Sequence, residues 1–431
     1  MTLVKDILSN NTDQNHTWIT ELQKSYRSYD DLLSAGILTP GRLSKSTFDS
    51  LAQKYQFRLP RYYAALIDPT DPRCPIAAQA LPHGHEQDPE LGPKHQGASQ
   101  RIYGRATPWS TDPIGDLSRL AAPRLTHRYG NRALLHVSSS CSMYCRFCFR
   151  KNHLGEREDK LYGGDYGTAF TYLRQHPEIT EVILTGGDPL SLIDGALLKL
   201  MNDLANATPS LRVLRIHSRM PVTLPHRLTK ELGAMLGEFS KNTNVKVVLV
   251  THFNHPKELT DFAKNKLEEF IRLSRALVLN QSVLLVGVNN NTSTLSCLLQ
   301  ELYNLGIAPY YLHHPDWTAG TFYCRISIEE GRRLYGALRG VVSGPALPRY
   351  VLDVPGGLGK IDLIDSEVIK IEDLPQENGL CGAIYQVPLA HTNTTTNIGG
   401  GFDRFSTPGK TLGPSSNRAL YLDLFPGPAA P

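Results

Sequence analysis

The decisive stretch is Ala133-Leu134-Leu135-His136-Val137-Ser138-Ser139-Ser140-Cys141-Ser142-Met143-Tyr144-Cys145-Arg146-Phe147-Cys148. A short apolar run is followed at once by three cysteines within eight residues. Runs like the first recur as Val182–Thr185, Val213–Ile216, Val245–Val250, Val278–Val286 and Ala308–Leu312. After a longer first gap they are roughly 30 residues apart, the spacing of parallel strand–helix units. Helix-like stretches fall between them: Gly167–Arg174, Leu197–Ala205, Lys230–Phe239, Leu259–Leu273 and Leu295–Leu305. Six such units are too few for a closed eight-fold barrel, so the expected fold is α/β, an open or partial (βα)6 barrel. Reactive loops in such folds follow the C-terminal ends of the strands, which is where the three cysteines lie.

Around this core the expected organisation has three parts. Residues 1–113 form a helical N-terminal region, with Leu22, Tyr26, Tyr29 and Leu33 spaced for one helix face. Within it, residues 71–113 are rich in Pro, Gly, His and Gln and read as a long surface loop or wrap. Residues 114–345 are the partial barrel, ending in the amphipathic Ile328–Leu338. Residues 346–431 contain Tyr350–Asp353, a glycine-rich turn, Gly399–Gly401 and a Pro- and Gly-containing end that reads as a loosely ordered tail.

Composition excludes whole classes of function. The 45 Lys and Arg against 41 Asp and Glu leave a charge of +4, too mild a balance to imply nucleic acid or a membrane surface. No apolar run reaches the roughly 18 residues of a spanning helix, and the N-terminal residues lack the apolar stretch of a signal peptide. A cytoplasmic protein is expected. Seven cysteines, an odd number, argue against a disulfide framework. Cys74, Cys297, Cys324 and Cys381 read as ordinary buried thiols.

Cys141, Cys145 and Cys148 are the candidate metal ligands. Three thiolates can hold three irons of a four-iron cluster and leave the fourth iron to a non-protein ligand. A structural zinc would want a fourth ligand, and no fourth Cys lies nearby. The spacing CxxxCxxC, with Phe147 before the last cysteine, resembles the radical S-adenosylmethionine (SAM) superfamily. That resemblance implies that SAM chelates the open iron. At the end of the second strand, Thr185-Gly186-Gly187-Asp188 resembles the superfamily segment that holds the SAM amino group, the glycines allowing close backbone approach to a ligand.

A second constellation is Asp353-Val354-Pro355-Gly356-Gly357-Leu358-Gly359-Lys360. It is not a phosphate-binding P-loop: Val354 stands where that motif needs glycine, and Ile361 where it needs Ser or Thr. A lysine on such a turn can instead reach into a cavity and bind pyridoxal 5′-phosphate (PLP) as a Schiff base.

Taken together, residues from roughly 110 to 365 resemble the lysine 2,3-aminomutase family of radical SAM, PLP-dependent isomerases. The matching stretches are His127–Arg132, Cys141–Cys148, His176–Ile179, Thr185–Asp188, Thr251–Glu258, Asn280–Leu285, Leu338–Gly340 and Asp353–Lys360. The resemblance implies a radical SAM barrel carrying a [4Fe-4S] cluster, SAM and PLP, with Lys360 as the PLP lysine. It implies Arg128, Arg132 and Gln281 as PLP contacts. Gly186, Gly187, Asp188, Ser218, Arg219 and His252 fall on the SAM side. Arg150 would grip the substrate carboxylate, for which a guanidinium fork suits.

Asp316 and Asp353 match the carboxylates that lysine-acting members use for the side-chain ammonium. Two acids facing one cavity repel unless a cation separates them, so a basic amino acid, L-lysine first, is the expected substrate. Arginine is the nearest alternative, because His313 and His314 lie beside the acid pair. An enzyme supplying β-lysine for elongation factor P, an iron–sulfur electron carrier and an inactive binding relative are further alternatives. A flavodoxin- or ferredoxin-type donor and a homo-oligomer are the expected partners. Two departures from the family pattern stand out: Leu358 interrupts the run of glycines, and Asn291 and the lone Cys381 argue against a structural zinc.

Overall fold

Along each parallel strand, alternate residues pack under helices or face a central cavity, and this period of two places the site. The computed structural model describes residues 18–39, 41, 43–155, 161–389 and 418–427. The strands are β1 (Leu120–Ala122), β2 (Leu125–Tyr129), β3 (Arg132–Ser138), β4 (Glu181–Gly186), β5 (Val213–His217), β6 (Lys246–Thr251), β7 (Leu277–Val283), β8 (Ala308–His313), β9 (Arg349–Val354) and β10 (Gly359–Asp362). They form one sheet in sequential order from β1 to β10. From β3 to β9 every neighbouring pair is parallel, while β1, β2 and β10 add antiparallel edges. The architecture is mixed α/β with a large, mostly parallel sheet.

The six runs read from the sequence are β3 to β8, and helices follow where the spacing puts them. Helix Lys230–Thr243 buries Leu232, Leu236 and Phe239, starts on the Thr229 side-chain cap and ends at left-handed Asn244. Helix Asp261–Ser274 is capped by Thr260 and buries Leu267 and Phe270. The sheet continues past residue 346: β9 is a seventh parallel strand, reached through helix Ile328–Leu338, and β10 folds back on it.

Three expectations need correction. Leu22, Tyr26, Tyr29 and Leu33 do not share one helix. Ser28 and Asp31 form a reciprocal capping box that starts a second helix, Tyr29–Ser34, after Trp18–Gln23. The stretch 71–113 is more than a surface wrap. It carries helices Pro75–Ala80 and Pro93–Tyr103, and its Glu86 is fully buried against Arg146 and Lys151. Of the scattered cysteines, Cys297 is exposed, although Cys74 and Cys324 are buried.

The tail also departs from expectation. Gly399–Gly401 and Pro408 lie outside the described residues, but β13 (Arg418–Pro426) returns to pair with β12 (Leu380–Pro388), which pairs in turn with β11 (Ile369–Glu377). Trp317 Nε1 donates to Leu422 O at 3.1 Å. Asp423, fully buried, accepts from Ile328 N at 2.8 Å and lies 3.4 Å from Arg325 Nη2, itself fully buried. Asp423→Ala is expected to cost about 3–5 kcal/mol in denaturant unfolding, because it leaves the Arg325 charge without its carboxylate. A loss below about 1 kcal/mol would mean that Tyr421 and the surrounding carbonyls suffice for Arg325. No helix of the described residues is long and apolar enough to cross a membrane.

Candidate active site

One residue parity builds the site. On β4, Val182 and Leu184 join the core while Ile183 and Thr185 face a cavity; on β5, Leu214 and Ile216 are core while Arg215 and His217 face it. The cavity has a volume of about 860 Å³. Cys141, Cys145 and Cys148 line one part of it, and Asp316, Asp353 and Lys360 line another.

The cysteine end is built on backbone contacts. The loop after β3 is bonded to the turn after β4 through Gly187 N to Ser138 O (2.6 Å) and Asp188 N to Ser140 O (2.9 Å). A Cβ at Gly186 would lie 2.5 Å from Ser138 O, and one at Gly187 2.5 Å from Ser140 O. These glycines therefore let the turn pack on the cysteine loop, a use the sequence does not distinguish from close approach to a ligand. From the other side, Arg146, between two of the cysteines, is held by Glu86 through Nε at 2.8 Å and Nη2 at 2.5 Å.

Asp188 is buried and fully engaged. It accepts from Ser218 Oγ (2.7 Å), Arg219 N (2.8 Å), Leu190 N (3.0 Å) and Met220 N (3.1 Å). Arg219 donates to Cys145 Sγ at 2.8 Å and to Gln79 and Glu258 at 2.6 and 2.9 Å. Asp188, Ser218 and Arg219 thus form a buried frame behind the cysteines. His252 is different: it stands against Phe147, and its buried Nε2 has no partner among the described residues. Burial, then the charge of Arg219, holds its pKa well below the ordinary imidazole value, so the ring is neutral.

The thiols fit an iron cluster. Burial and the neighbouring sulfur push the Cys148 thiol up to about 11, and burial with Asp188 and the other two cysteines raises Cys141 further. Such a group becomes thiolate only with cations to hold it. Among the described residues, no three His, Cys, Asp or Glu side chains are arranged to hold a single metal ion. A four-iron cluster asks less of each side chain, one thiolate per iron.

The Lys360 end follows from a hairpin. Val354 pairs with Gly359 and Asp353 with Lys360, so the two side chains share one face. Lys360 therefore sits on a strand, just past the glycine turn, and its ammonium is ion-paired with Asp353. Arg128 Nη1 lies 3.8 Å and His313 Nδ1 3.7 Å from the same carboxylate. Burial raises the Asp353 carboxyl, but Lys360 and His313 more than offset it and hold it far below the ordinary value. Asp316 goes the other way, pushed up to about 7 by burial and then by Asp353. Leu358 does not narrow the site, since it packs into the second core. Nor does His314 face the cavity; it is fully buried, bonded to Tyr350 at 2.9 Å.

Between the two ends stands Arg150. It donates to Asp116 from Nε (3.1 Å) and Nη2 (2.8 Å), and to Thr185 Oγ1 from Nη1 (3.0 Å). Asp116 also receives Arg128 at 3.4 Å. Asp116 is a cavity residue that sequence reasoning missed, because an isolated acid in a loop gives no periodic signal. Its main chain lies against the glycine turn: a Cβ on Gly115 would be 2.6 Å from Gly357 N. His217, also missed, was visible only as part of Ile216–Arg219. Arg132, stacked on Tyr129 at 4.0 Å, and Gln281 line the cavity, whereas Arg128 is drawn toward the acid pair.

A family pattern described as a 4Fe-4S single cluster domain matches residues 128–254, which include all three cysteines. The L-lysine 2,3-aminomutase of Fusobacterium nucleatum is 35% identical over 311 residues, covering 72% of this chain and 67% of that protein. The L-lysine 2,3-aminomutase of Escherichia coli is 33% identical over 363 residues, 83% of this chain and 97% of its own length. The glutamate 2,3-aminomutase of Clostridioides difficile is 30% identical over 378 residues, 84% of this chain and 83% of its own. With the cluster domain in place and 67–97% of the length of such relatives covered at 30–35% identity, the chain is an isomerase of the lysine 2,3-aminomutase family, a radical SAM aminomutase with a 4Fe-4S domain.

Proposed function

We propose that this aminomutase moves the α-amino group of a basic amino acid, L-lysine first, to Cβ. The observation that carries the substrate is the acid pair. Asp353, buried, and Asp316, partly buried, lie at one end of the cavity, and the ammonium beside them belongs to Lys360. If Lys360 binds PLP, its charge leaves Asp353, and an incoming side-chain ammonium takes its place. A glutamate side chain would add a third carboxylate there and be repelled.

The cofactor assignments follow the donor sets. Cys141, Cys145 and Cys148 hold the cluster. SAM would be held by Gly186 and Gly187 in the cavity wall and by His252, whose buried Nε2 has no partner among the described residues; Asp188, Ser218 and Arg219 support that wall. Lys360 holds PLP, with Arg132, Gln281 and Arg128 around it. When bound, SAM supplies the radical that takes hydrogen from Cβ, and PLP supplies the π-system that carries the migrating nitrogen. This chain's residues bind and orient: Arg150 takes the carboxylate and the acid pair takes the far ammonium. A flavodoxin- or ferredoxin-type protein would deliver the electron, and a homo-oligomer is the expected assembly.

The test is anaerobic turnover of reconstituted protein with SAM, PLP and a reductant, given lysine, arginine, glutamate and alanine in parallel. β-Lysine is the expected product by mass spectrometry. β-Glutamate without β-lysine would overturn the reading of the acid pair, and β-arginine alone would move the substrate within the basic class.

A further inference from the structure

Among the cavity side chains, His217 has no assigned task. It is the last residue of β5, and its Nε2 is buried without a hydrogen-bond partner among the described residues. A buried polar atom in that state costs stability unless something else occupies it. The β4–β5 register aligns Glu181 with Val213 and Leu184 with Ile216, which sets Thr185 and His217 side by side on the cavity face. Thr185 is the hydroxyl that receives Arg150, 3.0 Å away. His217 therefore stands next to the arginine proposed to take the substrate carboxylate. Burial first, then Arg215, Arg150, Lys360 and His313, hold its pKa well below the ordinary imidazole value. A neutral imidazole among those cations keeps one N–H for an anion without adding charge.

From this geometry we infer that His217 is a substrate-binding residue, hydrogen-bonding the α-carboxylate of the amino acid beside Arg150. Asp116 and Thr185 engage three of the five N–H donors of Arg150, one each at Nε, Nη2 and Nη1, so the guanidinium is not a free fork. A carboxylate arriving there meets a partly engaged arginine with two N–H donors left, and His217, in its Nε2–H tautomer, supplies a further donor from its vacant Nε2. The inference rests on the proposed amino acid substrate.

The test compares two ligands on the cluster- and PLP-loaded protein, with visible absorbance of the bound PLP as the readout. L-Lysine and L-lysinamide, which lacks the carboxylate, are titrated against wild type, His217→Ala and His217→Gln. His217→Ala is expected to weaken L-lysine by about tenfold or more, the scale of a hydrogen bond to a charged group, and L-lysinamide by less than about twofold. His217→Gln, which retains an N–H, should recover part of the loss. Equal weakening of both ligands would make His217 structural and overturn the inference, as would unchanged lysine affinity in His217→Ala. A wild-type spectrum that responds to no basic amino acid would instead overturn the proposed function.

Discussion

Lys360→Ala is expected to abolish the PLP adduct trapped by borohydride, and turnover with it. The reason is local. Lys360 alone projects an amine from the β9–β10 hairpin into the cavity, on the face it shares with Asp353. The same substitution strips Asp353 of its nearest ammonium, so loss of function by itself would be ambiguous. Lys360→Arg resolves this. It keeps a cation beside Asp353 and cannot form a Schiff base. The trapped adduct should vanish in both variants, while unfolding by denaturant should suffer less in the arginine variant. An adduct that persists in either one places the PLP lysine elsewhere.

Neutralising the acid pair should produce the second large effect. Asp353→Asn is expected to lower kcat/KM for lysine by more than about a hundredfold, the 3–5 kcal/mol typical of breaking a buried charge pair. Asp316 adds a pH signature. Its carboxyl is held up to about 7 by burial and by Asp353, so in the free protein it is protonated below that pH and ionised above it. A cationic side chain binds the ionised pair better. The KM for lysine should therefore fall as pH rises through about 7 and level off above it. Asp316→Asn should flatten this profile as well as raise KM. A KM profile unchanged by Asp316→Asn would remove that carboxylate from the substrate pocket.

Much of this site was legible because it follows from short-range rules. The runs from Ala133 to Leu312 have the composition and spacing of parallel strands, and they became β3 to β8. The pairing of Asp353 with Lys360 is hairpin arithmetic: the residues lie symmetrically about Pro355–Leu358. Arg150, placed by resemblance near a carboxylate, was found in the cavity wall. Less legible was what depends on a residue's partners far along the chain. Asp188 sits in a glycine motif associated with a ligand, yet all its capacity is taken by Ser218, Leu190 and the backbone of Arg219 and Met220. Arg128, linked to PLP by resemblance, also lies 3.4 Å from Asp116 and 3.8 Å from Asp353, contacts that no local pattern foretells.

The sequence by itself determined the order of strands β3 to β8 with their helices, and the cysteine trio. Each depends on periodicity or on spacing within a few residues, which every chain carries openly. Tertiary structure alone decided that Glu86 would clamp Arg146, that Asp116 would take two donors of Arg150, and that β13 would bring Asp423 to Arg325. Buried charges must find partners wherever the fold supplies them, as across the 98 residues between Arg325 and Asp423. No local pattern encodes such a pairing. Desolvation acts on the folded interior, so it selects these partners only once the sheet and its helices have enclosed them.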